Sequence, residues 1–437
     1  MIFTDFFGTE KMRAVFDDRS LVQYWLDVEA ALARAQARVG LVPPDAAVAI
    51  SMAARADSID LEALRRGTNL VGYPILPLVR QLSSRCDETT AGHIHWGATT
   101  QDIMDTASVL QLRKADRLLR DDLTRLIDRL SVLAQCYRDT PIAGRTHGQH
   151  ALPITFGYKI AVWVDELKRH LQRFNEAGPR LFRVQFGGAA GTLASLGDKG
   201  LAVHHALAEE LDLAPATISW HAARDTIAEF VCVCGLLGAS LGKIANEVAN
   251  LQRTEIAEVE EAFQPGKGGS STMPQKRNPN LSENVVGLSR LVMQQVPAML
   301  SAMIAGHERA MGEWHIEWRA VPETCLLTSA ALVHTCAIFD GIVVHEHTMA
   351  RNLGMTNGQI TSEAVMMKLA EHVGRQRAHD LLYEMCVQSQ ETGAPLQSVI
   401  AENSEVAAIL SETEVKSLLD PGNYTGLAGD FVDRVCR

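Results

Sequence analysis

Residues 266–280, GKGGSSTMPQKRNPN, combine glycines, a serine pair, adjacent lysine and arginine, and two asparagines around a proline. Glycine permits positive φ and mobility. Backbone N–H groups beside glycines form concave nests for anions. Lys276 and Asn278 supply a cation and an amide of the kind that hold a carboxylate. A serine such as Ser270 on a mobile loop can close over a substrate and exclude water. A helix beginning near Pro279 would add the positive end of its dipole. Together these features describe a place for a di- or tricarboxylate. A surface loop with a few solvated charges has the same composition, and composition alone leaves both readings open.

Two further segments break an otherwise helical pattern with polar groups. GRTHGQHALPITFG, 144–157, sets His147 and His150 three residues apart beside Arg145. On a helix that spacing can hold a metal. Here glycine interrupts the segment and no third ligand is evident, so proton transfer is the better reading. A histidine packed under the next helix is the alternative. HIHWGATTQDIMDTA, 93–107, carries His93 and His95, with the same ambiguity, followed by Thr99 and Thr100. His307, Arg309 and His315 lie in a later polar passage, GHERAMGEWHIEW.

The elements that would position these residues are helices. Leu112, Ala115, Leu119, Leu123, Leu126, Leu130 and Leu133 recur at steps of three and four. Leu237, Leu241, Ile244, Val248 and Leu251 do the same in a stretch without proline, and Leu281, Val285, Leu288, Val292 and Val296 form a third run expected to end near Pro297. Such runs predict helices of about 30 to 40 residues, beyond the usual globular length, and hence a long bundle. No alternating strand pattern stands out, so the fold class is all-α. Three parts are expected: an N-terminal helical domain, 1–105, with short helices broken by Gly67, Gly72, Pro74 and Pro77; a central long-helix bundle, 106–351; and a C-terminal helical domain, 352–437, opened by the turn-rich NLGMTNGQ.

The chain has 437 residues, 47% hydrophobic and 21% charged, enough for several domains of an ordinary globular protein. Its net charge of −11 argues against a general nucleic-acid surface. The 8 cysteines are scattered without a zinc pattern, and read as free thiols in a reducing compartment. MIFTDFFGTEKMRAVF lacks the apolar core of a signal peptide, and 325–344 is read as too polar for a membrane span. The expected location is cytoplasmic, with no membrane partner.

Taken together, GSSTMPQKRNP (269–279), HWGATTQDIMDTA and RTHGQHALPITFG resemble, in order, the three signature regions of the fumarase/aspartase superfamily. That superfamily includes adenylosuccinate lyase, argininosuccinate lyase and 3-carboxy-cis,cis-muconate cycloisomerase, and the resemblance covers essentially the whole chain. It implies an all-α homotetramer with a twenty-helix core, active sites shared by three subunits, and neither metal nor organic cofactor. It also implies a mechanism: a base removes the proton next to a substrate carboxylate, giving an aci-carboxylate dianion, and the β substituent leaves. By position, Ser270 is similar to the family's general base, and His147 to the histidine that protonates the leaving group. His95 matches a further site histidine. Thr99 and Thr100 would bind one carboxylate, and Lys276 and Asn278 the carboxylate that gains charge. Gln149 and Arg309 match substrate binders.

HERAMGEWHIEW, SWHAARD, QFGGAAGT and LDPGNYTG resemble the cycloisomerase-like branch. GTNLVGYPILP, 67–77, stands where adenylosuccinate lyases carry a histidine and has none. Bacterial cycloisomerases often lack the histidine of the R-T-H triplet, whereas this chain keeps His147, as eliminating lyases do. The expectation is a C–N lyase releasing fumarate from an N-substituted aspartate, with the cycloisomerase, and then adenylosuccinate lyase, as alternatives.

Overall fold

The computed structural model describes residues 2–262, 273 and 275–437. The chain divides into two compact units. One holds Met1–Thr124, Arg169–Gly242 and Asn284–His334, and the other Arg125–Lys168, Lys243–Glu283 and Thr335–Arg437. Long helices dominate: Thr100–Cys136, Phe156–Leu181, Asp225–Leu251, Asn280–Ala302 and Glu313–Asp340. The leucine periodicity behind the first of them is real burial: Leu112, Leu119, Leu123, Leu126 and Leu130 are all 0% exposed. Two of these helices, Asp225–Leu251 and Glu313–Asp340, are long and apolar enough to cross a membrane. In each, 67% of the apolar window is buried inside the protein, as in a core helix.

Three expectations are corrected. The third leucine–valine run does not stop at Pro297, which lies inside Asn280–Ala302. Pro297 and Met293 are both exposed, so water can reach the carbonyl that the proline leaves without its donor. Gly67 and Pro77 do not break helices either. Gly67 lies within Leu61–Val71, where an added Cβ would come 2.8 Å from Pro77 Cβ, and Pro77 sits in the first turn of Ile75–Ser83. A first-turn N–H has no intrahelical partner to lose. Third, the chain is not free of strands: Pro141–Thr146 and Gln149–Thr155 form an antiparallel hairpin, and Val259–Glu260 pairs with Val343–Val344.

In the first unit, the Asp18–Arg38 helix starts on Asp17, whose carboxylate accepts from the Ser20 N–H. It buries Val22, Trp25, Leu26 and a run of alanines against Ile50, Leu78, Ile103 and Leu110. The same unit holds a buried ionic centre. Arg224 is bidentate to Asp105 at 2.7 and 2.9 Å and to Glu317 at 2.8 and 2.5 Å, and Trp314 Nε1 donates to Asp105 at 3.1 Å. Burial alone disfavours the guanidinium charge; Asp105 and Glu317 more than reverse this and raise its pKa. Arg224→Met would leave two carboxylates buried without a cation. It is expected to destabilise the protein by about 3–5 kcal/mol, read as a lower urea or thermal midpoint. Arg224→Lys should recover little, because an ammonium cannot fork to both acids.

In the second unit, the C-terminal helices Ser362–Val373, Arg375–Thr392, Leu396–Glu402 and Glu412–Leu418 enclose a core of Val365, Leu369, Leu381, Met385, Val399 and Val415. Ser411 and Glu414 form a reciprocal capping box at the start of the last of these.

Candidate active site

The first unit brings together His95, Thr99, Thr100 and Arg309. The tight turn before the Thr100–Cys136 helix holds His95 at φ 60° and Gly97 at φ 72°. Histidine tolerates the left-handed region better than most side chains, and at Gly97 a Cβ would come 2.6 Å from Leu196 Cδ2. Asp102 is the hub of this turn. It is 1% exposed, and its oxygens accept from the N–H groups of Thr99 (3.0 Å), Gly187 (2.9 Å) and Gly188 (2.9 Å) and lie 2.8 Å from His221 Nε2. The Asp102 N–H goes to the Thr99 carbonyl at 3.0 Å rather than to the Thr99 hydroxyl. Among the described residues neither the Thr99 nor the Thr100 hydroxyl has a partner in the protein. Both are therefore available to a ligand, at the positive end of a 37-residue helix.

Arg309 joins this group through Gln101. Its Nε donates to Gln101 Oε1 at 2.9 Å and its Nη1 to the Ala189 carbonyl at 3.0 Å, while Gln101 Nε2 donates to the His221 carbonyl at 3.0 Å. Nη2 of Arg309 is buried with no partner in the protein. A guanidinium fixed by two bonds with an unused N–H is suited to take an oxygen of an anion.

The second unit carries His147 and Gln149 on the hairpin. Thr146 pairs with Gln149 across a two-residue turn, His147–Gly148, with φ 53° and 77°. Positive φ at both positions is the geometry of a type I′ turn, which matches strand twist. His147 and Gln149 are exposed, one on either side of Gly148. The hairpin is anchored by Arg145, which is bidentate to Glu258 at 2.9 and 2.7 Å; Asn352 Nδ2 donates to the same carboxylate at 2.9 Å. Glu258 is 0% exposed. Burial first, and then the Arg145 charge, hold the half-buried His150 below the usual histidine range. Glu258→Ala should free Arg145 and loosen the hairpin locally by about 1–3 kcal/mol, read as faster amide hydrogen exchange across 142–154.

Ser270 lies outside the described residues. Lys276 is exposed and, among the described residues, has no side-chain partner; Asn278 is half-buried. Arg277 pairs with Glu260 at 2.6 Å and so has a structural role. One element of the anion-site expectation is corrected. The N–H groups of Leu281 and Ser282, at the start of the Asn280–Ala302 helix, are taken by the Glu261 carboxylate at 3.1 and 2.7 Å. That end of the helix is capped by the chain's own acid. Among the described residues no group of three or more His, Cys, Asp and Glu side chains is placed to hold a metal.

Sequence reading missed Glu29, Asp102, Gln101 and Glu258. Asp102 had a signal: T-x-x-D before an apolar run is a capping pattern. Glu29 had a weaker one, an acid among Val28, Ala30, Ala31 and Leu32, all of which are buried. Glu258 and Gln101 act through contacts far apart in the chain and carried none.

Comparison with known proteins places the chain in the lyase class. Residues 7–294 match the family model described as Lyase, and 358–435 match that described as Adenylosuccinate lyase C-terminus. The chain belongs to the fumarase/aspartase superfamily, in the branch of the 3-carboxy-cis,cis-muconate cycloisomerases and adenylosuccinate lyases. It is 44% identical to a 3-carboxy-cis,cis-muconate cycloisomerase of Pseudomonas aeruginosa over 99% of this chain and 95% of the relative. It is 42% identical to an N-acetyl-S-(2-succino)cysteine lyase of Enterococcus italicus, over 98% and 94%. The crystal structure of a fumarate lyase from Mesorhizobium sp. BNC1 superposes with a TM-score of 0.93 at 45% identity, covering 98% of each chain.

Proposed function

We propose that the enzyme catalyses reversible β-elimination on a heteroatom-substituted succinate and releases fumarate, with an N-substituted aspartate as substrate. Ser270 removes the proton next to one carboxylate. The electron pair moves into that carboxylate, which Lys276 and Asn278 hold as it gains charge. The C=C bond then forms as the C–N bond breaks, and His147 gives a proton to the departing nitrogen. Thr99, Thr100 and Arg309 bind the other carboxylate, and Gln149 and His95 complete the site. Preorganised donors at the carboxylate that becomes a dianion lower the barrier where charge develops.

The observation that carries this reading is His147 itself. It is exposed on an anchored hairpin, and an exposed imidazole is suited to give a proton to a leaving group. The exposed His147, Gln149 and Lys276, and the unpartnered hydroxyls of Thr99 and Thr100, also support a homotetramer in which each site draws on three subunits. The relative named as acting on N-acetyl-S-(2-succino)cysteine favours a second reading, with sulfur as the departing atom. The relatives named as cycloisomerases keep 3-carboxy-cis,cis-muconate as the alternative substrate. Adenylosuccinate is the second alternative, weakened by the absence of a histidine in 67–77. The test is fumarate release followed by ultraviolet absorbance across N-substituted aspartates, S-(2-succino)cysteine and adenylosuccinate. Release from an N-substituted aspartate with kcat/KM well above the others supports the proposal; release from the sulfur compound alone moves the reading to a C–S lyase.

A further inference from the structure

Glu29 is an acid where the fold asks for an apolar residue. It lies on the buried face of the Asp18–Arg38 helix, one turn after Trp25 and one turn before Ala33, and its side chain is 0% exposed. One oxygen, Oε1, lies 2.6 Å from His95 Nδ1; the other, Oε2, is buried with no partner in the protein. Burying a carboxylate with an unused oxygen is costly. A residue serving packing alone would be expected to avoid that cost. Two turns further along the same face, Gln36, also 0% exposed, donates from Nε2 to the Trp96 carbonyl at 2.6 Å. One helix face thus grips the 95–97 turn twice, by the His95 ring and by the neighbouring backbone. Among the described residues His95 Nε2 has no hydrogen-bond partner, and 22% of the side chain is exposed. Nε2 is thus open to a ligand or to solvent.

The geometry points to Glu29 as the positioning residue that fixes the His95 ring with hydrogen at Nδ1 and, as a carboxylate in contact with the ring, favours its imidazolium, so that His95 meets the substrate through Nε2. A carboxylate can only accept, so Nδ1 carries hydrogen in this contact. The charged groups that face the ring are Glu29, from the Asp18–Arg38 helix, and Asp102, from the start of the Thr100–Cys136 helix. Burial pushes the imidazole toward its neutral form, but Glu29, aided by Asp102, overcomes this and raises the His95 pKa. The imidazolium is therefore favoured to higher pH than that of a free histidine, and in that form both ring nitrogens carry hydrogen. Nε2–H is then suited to a substrate carboxylate or to the departing group. The inference rests on the reading of His95 as a residue of the substrate site.

The sign of the pH dependence follows. Turnover that needs the His95 donor falls as pH rises through the raised His95 pKa. In Glu29→Gln, which keeps the shape but not the charge, that fall should come at lower pH. At pH 8, kcat/KM should drop about 10–100-fold, mainly through kcat. Glu29→Asp should restore part of the loss, and it also serves as the test if Glu29→Gln fails to fold. The ring itself is followed by NMR titration of the His95 Cε1–H in histidine-labelled protein, assigned with His95→Gln. A His95 titration that moves down in Glu29→Gln together with the alkaline limb of kcat/KM supports the proposal. A ring titration that does not move overturns it, whatever the substrate. A ring that moves while the alkaline limb stays in place also overturns it, since Glu29 would then act on His95 without serving turnover. If the wild type is inactive on every succinate tested, the ring titration still decides the Glu29–His95 linkage, and the failure belongs to the substrate reading alone.

Discussion

Replacing Ser270 with alanine is expected to abolish turnover, by at least ~10⁴-fold, the upper range for loss of a general base, while assembly and unfolding stay those of the parent. A serine hydroxyl is a weak base, so the loop must stabilise its alkoxide. The glycine-rich backbone around it and Lys276 are the available sources. The helix end after Pro279 is not a free source, because Glu261 already occupies the Leu281 and Ser282 N–H groups. The variant should also lose exchange of the substrate C–H with deuterated solvent, which isolates the proton-abstraction step from release of the leaving group. Retained exchange or turnover would remove Ser270 as the base. Shared sites make a second demand. Inactive Ser270→Ala and impaired His147→Asn subunits, unfolded and reassembled together, should show more activity than either alone, because some mixed sites draw intact residues from different chains. No recovery on mixing would contradict the three-subunit site.

The second large effect is expected for His147→Asn. An amine leaves as a neutral molecule only when the departing nitrogen is protonated, so loss of the acid should slow elimination by roughly 10²–10⁴-fold. A thiol, with a pKa of about 8.5, can depart as the thiolate and needs that proton less. The ratio of wild-type to His147→Asn rates therefore reports the leaving atom: large for nitrogen, small for sulfur. For ring closure by an internal carboxylate the ratio should also be small. An unchanged rate on an N-substituted aspartate would remove His147 as the acid.

The sequence made the long helices legible because their signal is local. Seven apolar residues from Leu112 to Leu133 at helical spacing need no knowledge of what they pack against. The hairpin at 141–155 was not legible, because glycine, proline and a bulge between Gly144 and Arg145 obscure any alternation, and its turn depends on a histidine adopting positive φ. The site divides along the same line. His147 and Lys276 stood out by residue type in polar segments, whereas Thr99 and Thr100 were singled out only through the family resemblance. The supports of the site were not named: Glu29 lies 66 residues from His95, and Glu258 lies 113 from Arg145. Such pairs become visible only when the fold closes them. The same limit explains why Lys276 and Arg277, adjacent in sequence, could not be separated into an unpartnered cation and one paired with Glu260.

The central claim, that this enzyme eliminates an amine from a substituted succinate, is tested most directly by proton NMR of the purified protein in deuterated buffer. One set of samples holds fumarate with ammonia or small amines, and the other holds 3-carboxy-cis,cis-muconate. The account predicts aspartate-type signals in the first set, with a single deuterium placed on the carbon that Ser270 serves, and fumarate recovered when the N-substituted product is supplied. Lactone formation in the second set, with no amine addition in the first, would contradict it and leave His147 without its assigned role.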